Sequence, residues 1–292
     1  AVRRRTGGYP MKPVRILVDS TVDLPQRCRA QVRAVPLTVH FGDEELIDGV
    51  TIDRRRFYER LIESDVLPTT SQATPAAFVK EFEAVRQAGE SAVVITISAE
   101  LSGTYQSACI AAADYEDIYV VDSRSAAIGS GILAELALEW AADGMAAAEL
   151  AGLLTKKRDD ICLLGLLDTL EYLRRGGRIS RTAALAGGLL GIKPVVTLEN
   201  GAVTMIGKAR GSKQGNNLLV QKVRESGGID FSLPILLGYT GLSDALLQKY
   251  VADSAALWRD HCGSLEQTLL CSVIGTHTGP GVVAVAFFKN GV

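Results

Sequence analysis

Three observations predict an α/β fold in two domains, an N-terminal doubly wound parallel sheet followed by a C-terminal α/β domain with antiparallel strands. At 292 residues the chain exceeds one ordinary domain. Apolar residues make up 47% of it and aromatics only 6%, so the core-forming mass is Ala, Val, Leu and Ile, as in helix-covered parallel sheets. Short uncharged runs alternate with helix patterns through the first half, while the second half carries Asn200-Gly201 between two strand-like runs. That dipeptide is the strongest short hairpin signal. The boundary is expected near Asp159-Asp160, giving domains of residues 12–159 and 160–292.

The first half is arranged around Ala92–Ala112. An apolar strand, Ala92–Ile97, passes through a polar loop, Ser98 to Gly103, into an Ala-rich helix. This order puts backbone N–H groups at the carboxyl edge of a sheet, where open α/β sheets bind ligands. Ser102 and Thr104 face such a ligand or cap the helix with the same oxygens. Before it, Val14–Asp19 is a strand, and Asp23-Leu24-Pro25 starts a helix with Asp23 as its N-cap. Ala34–Phe41 is a second strand. Asp53 caps a helix, Arg54–Ser64, with Phe57, Leu61 and Ile62 inward. Thr74-Pro75 opens another, with Phe78, Val79 and Phe82 inward and Gly89 as its stop. After it come the strand Ile118–Asp122, the helix Ser125–Ala142 stopped by Asp143-Gly144, and the helix Ala146–Lys157.

The second half reads as a strand, Ile161–Leu167, a helix, Thr169–Arg175, stopped at Gly176-Gly177, and an Ala/Gly/Leu helix ending near Gly191. The hairpin Pro194–Glu199 and Ala202–Ile206 follows, then helix Gln214–Glu225, strand Leu233–Tyr239 and helix Ser243–Trp258. Strands Thr268–Ile274 and Val282–Phe288 close the chain around a glycine-rich loop, Thr276–Gly281.

A net charge of −2 gives no general attraction to nucleic acid. Five cysteines without Cys-x-x-Cys spacing argue for free thiols in a reducing compartment and against a zinc site. No apolar run approaches the roughly 20 residues that span a bilayer, and residues 1–12 lack the apolar core of a secretory signal. A soluble cytoplasmic protein is the expectation, with residues 1–11 either a leader or not native to the protein.

Four groupings carry chemistry. Thr69-Thr70-Ser71-Gln72 offers hydroxyls and amides ahead of a helix, to an anion or only to that helix as a cap. His277, among Gly275, Gly279 and Gly281, is pinned by a loop that brings backbone close to something. Arg210 follows the hairpin, and Arg174, Arg175, Arg178 and Arg181 surround Gly176-Gly177 as a solvated face or a docking site for an acidic partner. No Walker-A sequence, Gly-x-Ser-x-Gly elbow or His-Glu-x-x-His is present. A hydrolase using Ser102 and His277 would lack a recognisable orienting partner.

Taken together, Asp19–Pro25 (DSTVDLP), Thr70–Thr74 (TSQAT), Ile97–Ser107 (ISAELSGTYQS), Leu170–Ser180 (LEYLRRGGRIS), Ile192-Lys193-Pro194 and His277–Gly281 (HTGPG) resemble the DegV family of fatty-acid-binding proteins. Ala73 stands where the family often has Pro, and Ala99 where a second Ser is common. The resemblance implies a two-domain protein that takes one long-chain fatty acid between its domains, with no cofactor and no metal. It further implies presentation of the carboxylate to a separate ATP-dependent kinase subunit that makes the acyl phosphate, so the chain is not itself an enzyme. Carried over by motif, Thr70, Ser71, Ser102, Gly103, Arg210 and His277 bind the carboxylate, while Arg174, Arg175 and Arg178 dock the kinase. Nucleic acid is not an expected partner, and transient membrane contact is open to such a carrier. The Ala-rich helices at 126–142 and 183–191 leave room for the acyl chain or simply pack closely. A Ser/His acyl hydrolase and a stand-alone lipid sensor are the competing readings.

Overall fold

The structure, a computed structural model, describes residues 12–179 and 191–291. Its first half runs β1 (Val14–Asp19), a 3-10 turn (Gln26–Gln31), β2 (Arg33–Val35), β3 (Thr38–Phe41), β4 (Glu44–Ile47), α1 (Arg54–Glu63), β5 (Thr69–Ser71), α2 (Pro75–Gln87), β6 (Ser91–Thr96), α3 (Thr104–Ala112), β7 (Ile118–Asp122), α4 (Ala127–Ala142) and α5 (Ala147–Lys157). The second half runs β8 (Ile161–Leu166), α6 (Glu171–Arg175), β9 (Ile192–Glu199), β10 (Ala202–Arg210), α7 (Gly211–Glu225), β11 (Leu236–Tyr239), α8 (Ala245–Asp253), α9 (Ala255–Trp258), β12 (Gln267–Leu269), α10 (Ser272–Thr278) and β13 (Val283–Phe288).

Three sheets result. One is fully parallel, in the order β2-β1-β6-β7. The largest has the order β10-β9-β8-β13-β11-β12 and is antiparallel except for its β11–β12 pair. A small antiparallel sheet, β4-β3-β5, carries Thr70. The fold class is therefore α/β, with the parallel and the antiparallel-rich sheets expected of the two halves. Every residue of β6 is buried, as befits the middle of a sheet covered on both faces. Helix α4 explains how the two halves join. Apart from Ser130 and two glutamates it is apolar, buried continuously from Ala127 to Ala137, and packs on β1 and β6 as well as on β8, β11 and β13. A helix without a polar face needs cover on every side, and lying between two sheets supplies it.

Several boundaries differ from the sequence reading, each for a local reason. Pro36, which cannot donate to a ladder, splits Ala34–Phe41 into β2 and β3 in different sheets. Asp23 caps no helix. The turn behind it begins after Pro25, and the Asp23 carboxylate, fully buried, pairs with Arg54 at 2.9 Å and accepts from Cys271 N at 3.0 Å. The run Thr268–Ile274 is strand only to Leu269, and α10 replaces the rest of it and part of the expected loop. The amides that begin α10 find carboxylates from the first half, Cys271 N on Asp23 and Ser272 N on Asp48 at 3.3 Å, so the segment can turn helical without orphaned donors. Ser243–Trp258 breaks into α8 and α9 at Ser254, whose hydroxyl is taken up by Tyr250 O and Trp258 Nε1. Ile62 and Val79, expected inward, are exposed at 54% and 38%. The expected helix ending near Gly191, with Ser180 and Arg181, lies outside the described residues, as do residues 1–11.

Candidate functional site

Four segments from both halves converge on one cavity of about 400 Å³. Strand β5 brings Thr70 and Ser71, and the loop after β6 brings Ser102 and Gly103. Helix α10 brings His277, and the turn after α6 brings Arg178. Beyond this polar rim the walls are apolar, formed by Ala126, Leu163, Val196, Leu198, Val203 and Ala284 among others. The volume falls within the roughly 300–1,000 Å³ of small-molecule sites.

At the rim, Thr70 Oγ1 lies 2.8 Å from His277 Nε2. Ser102 Oγ lies 2.9 Å from Thr104 Oγ1 and accepts from Thr104 N at 3.2 Å, so this hydroxyl both takes up the first amide of α3 and lines the cavity. Gln72 ties the two polar segments together, its Nε2 donating to Ser107 Oγ at 2.8 Å and to Gly103 O at 3.3 Å. Ser71 is also bonded from outside, its Oγ 2.8 Å from His40 Nε2. Burial, with the neighbouring Arg178 charge adding to it, pushes His277 down to about 4. The imidazole is therefore neutral near pH 7, donating from one nitrogen and accepting at the other. His277 Nδ1 is buried and has no partner among the described residues. It lies against Gly176, where an added Cβ would stand 2.2 Å from it. Gly176, at the end of α6, thus makes room for the ring.

The sequence-predicted residues divide accordingly. Thr70, Ser71, Ser102, Gly103 and His277 share the cavity. Arg210 does not join them: it is exposed at the start of α7 and is absent from the cavity lining among the described residues. The guanidinium that does line it is Arg178, placed by its sequence neighbours on a docking surface. Its Nε donates to Leu101 O at 3.1 Å and its Nη1 to Gly176 O at 2.6 Å, a strut from the second half to the loop carrying Ser102. Arg174 and Arg175 are exposed and both pair with Glu171, at 2.6 and 2.5 Å. These two arginines hold the Glu171 carboxyl low, at about 2.

Gln72, Gly176 and Arg178 are the parts of the site that sequence reasoning did not assign to the cavity. Gln72 stands in the quoted Thr69–Gln72 run and the other two in the quoted arginine-glycine run, but nothing in either shows that the second run folds back onto His277. Chemically, the rim offers hydroxyls, an imidazole and a guanidinium to an anionic head, above an apolar space. It does not assemble an activated serine: Ser102 Oγ bonds to Thr104, and His277 Nδ1 has no carboxylate to orient it. Among the described residues no cluster of His, Cys, Asp or Glu could hold a metal ion, and no helix is long and apolar enough to cross a membrane.

Comparison with known proteins places this architecture. The family model described as uncharacterised protein, DegV family, matches residues 13–290. A DegV domain-containing protein of Caldanaerobacter subterraneus subsp. tengcongensis is 33% identical over 287 residues, covering 95% of this chain and 99% of its own. The structure is similar to that of a DegV family protein from Thermus thermophilus described for its fatty acid binding, with a TM-score of 0.84 and 29% identity over 96% of this chain and 100% of the other. It is similar too to DegV of Bacillus subtilis, described as a fatty acid binding protein, with a TM-score of 0.81 and 27% identity over 96% and 100% of the two chains. The chain belongs to the DegV family.

Proposed function

We propose that this protein binds one long-chain fatty acid in the cavity and presents its carboxylate to a separate ATP-dependent kinase subunit. The observation that carries the first part is a polar rim of Thr70, Ser102 and a neutral His277 set on an apolar cavity of about 400 Å³. Hydroxyl and imidazole donors satisfy a carboxylate where water is excluded, and Arg178 compensates its charge without being buried in full. The acyl chain supplies the affinity, at about 0.8 kcal/mol for each CH₂ removed from water. Fatty acid binding by the similar proteins of Thermus thermophilus and Bacillus subtilis supports the same ligand class.

The second part rests on the family resemblance and on Arg174 and Arg175, which stand exposed at the end of α6 a few residues from the rim. On this reading the chain contributes no catalytic group, and the domains meeting near Asp159-Asp160 form the two sides of the lipid site. The deciding experiment extracts the purified protein under denaturing conditions for mass spectrometry, then supplies ATP with and without a fatty acid kinase subunit. An intact fatty acid, converted to acyl phosphate only with both additions, is the expected result. Turnover of acyl esters by the chain alone would support the hydrolase reading instead.

A further inference from the structure

Behind the lipid cavity lies a second, polar cleft of about 480 Å³. It is lined by Arg124 and Ser125 after β7, Arg158 and Asp159 at the crossing between the halves, and Lys289 after β13, with the Asn200 hairpin on its far side. Leu163 and Leu198 line both spaces, and Ser125 immediately precedes the cavity residues Ala126 and Ala127. The apolar cavity and the polar cleft therefore adjoin at these two leucines.

The cleft contains hydrogen-bond donors without acceptors. Ser125 is only 4% exposed and its Oγ has no partner among the described residues. Arg158 Nε is buried and unpartnered as well, its distance of 3.9 Å to Asp159 Oδ1 being too long for a hydrogen bond. Lys289 makes no ion pair among the described residues, while Arg124 is engaged by Asp159 at 3.4 Å. The lining holds three cations against the carboxylates of Asp159 and Glu199. The backbone is also unusual here. Arg124, Ala127 and Asn200 are the non-glycine residues with left-handed φ among those described, at 49°, 50° and 50°. Asn200 suits its hairpin turn, but Arg124 and Ala127 hold a conformation that a Cβ disfavours. Strain of this kind gathers at functional sites.

We propose that this cleft is an oxyanion site, where a carboxylate or phosphate group accepts from Ser125 Oγ, Arg158 Nε and Lys289 Nζ. Two sources can deliver such a group. The far end of an α,ω-dicarboxylic acid would reach it from the cavity between Leu163 and Leu198, a case that rests on the fatty-acid reading. Inorganic phosphate would enter from solvent, independently of that reading.

The test uses the full chain stripped of lipid, with hexadecanoic acid, hexadecanedioic acid and inorganic phosphate titrated separately by calorimetry. A dry dead-end cavity would reject the diacid, because a buried unpaired carboxylate is costly. The expected result is a diacid affinity within about tenfold of the monoacid, weakened about tenfold or more by Lys289→Gln with the monoacid unchanged. Phosphate binding that Lys289→Gln abolishes would equally support the site, with solvent as the source. Ser125→Ala, which removes one donor and little volume, should act in the same direction on whichever anion binds. Rejection of the diacid together with no phosphate binding overturns the proposal, as does equal weakening of both acids by Lys289→Gln. If neither acid binds, the fatty-acid reading fails, and the phosphate titration alone decides the oxyanion site.

Discussion

At Ser102 one hydroxyl serves two roles that mutation can separate. Ser102→Ala removes a donor from the rim, and an unpaired carboxylate oxygen in a dry site costs about 1–3 kcal/mol. Fatty acid affinity should fall roughly fivefold to more than a hundredfold by calorimetry. The lost cap on α3 is worth about 1 kcal/mol or less of fold stability, because the bond to Thr104 N is already long at 3.2 Å. A fall in melting temperature with unchanged affinity would leave Ser102 a cap and nothing more. Gly176 and Gly177 allow a similar separation. Gly176→Ala drives a methyl into the His277 ring and should weaken lipid binding. Gly177→Ala meets no atom but is strained at φ +69°, so it should lower stability and spare the ligand. The imidazole itself gives a third measurement. Its proton is lost near pH 4 in the folded chain and near 6.5 in the unfolded one, so the unfolded state binds more protons between those values. Acidification through this window therefore costs stability on account of His277. Burial has the opposite sign at Asp19 and Asp23, both raised to about 6, where ionisation on going up through pH 4–6 is the costly direction. An NMR titration of the lipid-free protein should find His277 neutral down to about pH 5, and a midpoint near 6.5 would contradict its burial.

At the scale of elements, the decisive piece is α10, which holds His277 and is anchored by groups from the first half. Tyr58, fully buried on α1, donates to Leu270 O at 3.1 Å. Tyr58→Phe keeps the ring and orphans that carbonyl. It should cost about 1–2 kcal/mol, read as a fall of a few degrees in melting temperature, and weaken lipid binding as α10 loosens. Unchanged affinity would mean that α10 keeps its place without this bond. The same element shows where sequence reasoning reaches its limit. Strands such as β1, β6 and β7, the Asp53 and Thr74 caps and the Asn200-Gly201 hairpin were legible, because each is encoded in neighbouring residues. The segment 268–274 is β-branched and apolar enough to read as strand, with a glycine-rich loop after it. It turns helical because Asp23 and Asp48, more than 200 residues away, accept its first amides. Thr70, Ser102 and His277 were legible as a set through the family motifs. The inward turn of Arg178 and the outward place of Arg210 depend on how separate elements dock, which local spacing does not record.

For the whole molecule, the question is which surface meets a partner. Arg174 and Arg175 are 51% and 58% exposed and already satisfy Glu171, so their net field is that of one positive charge. Reversing both to Glu should leave fatty acid binding near normal and depress acyl-phosphate formation by a partnered kinase. The loss should be larger at low salt, where surface charge is least screened. Ligand titration and kinase turnover over a salt series, made on one mutant, check this. Equal losses in both assays would put these arginines at the pocket, and unchanged turnover would make them an ordinary solvated face.

The anchoring of Leu269–Thr278 on Asp23, Asp48, Arg54 and Tyr58 also imposes an order in time. A ribosome releases these partners more than 200 residues before the segment they hold. Until then Asp23 and Asp48 have no amides to receive and must stay hydrated, and α4 has only one of its two sheets complete. A nascent chain can form its parallel sheet early, but it owns no His277 and no closed cavity until the last strands emerge. Any ligand of the cavity is thereby withheld from every unfinished copy, and a chain truncated before α10 would leave its apolar wall open to aggregation.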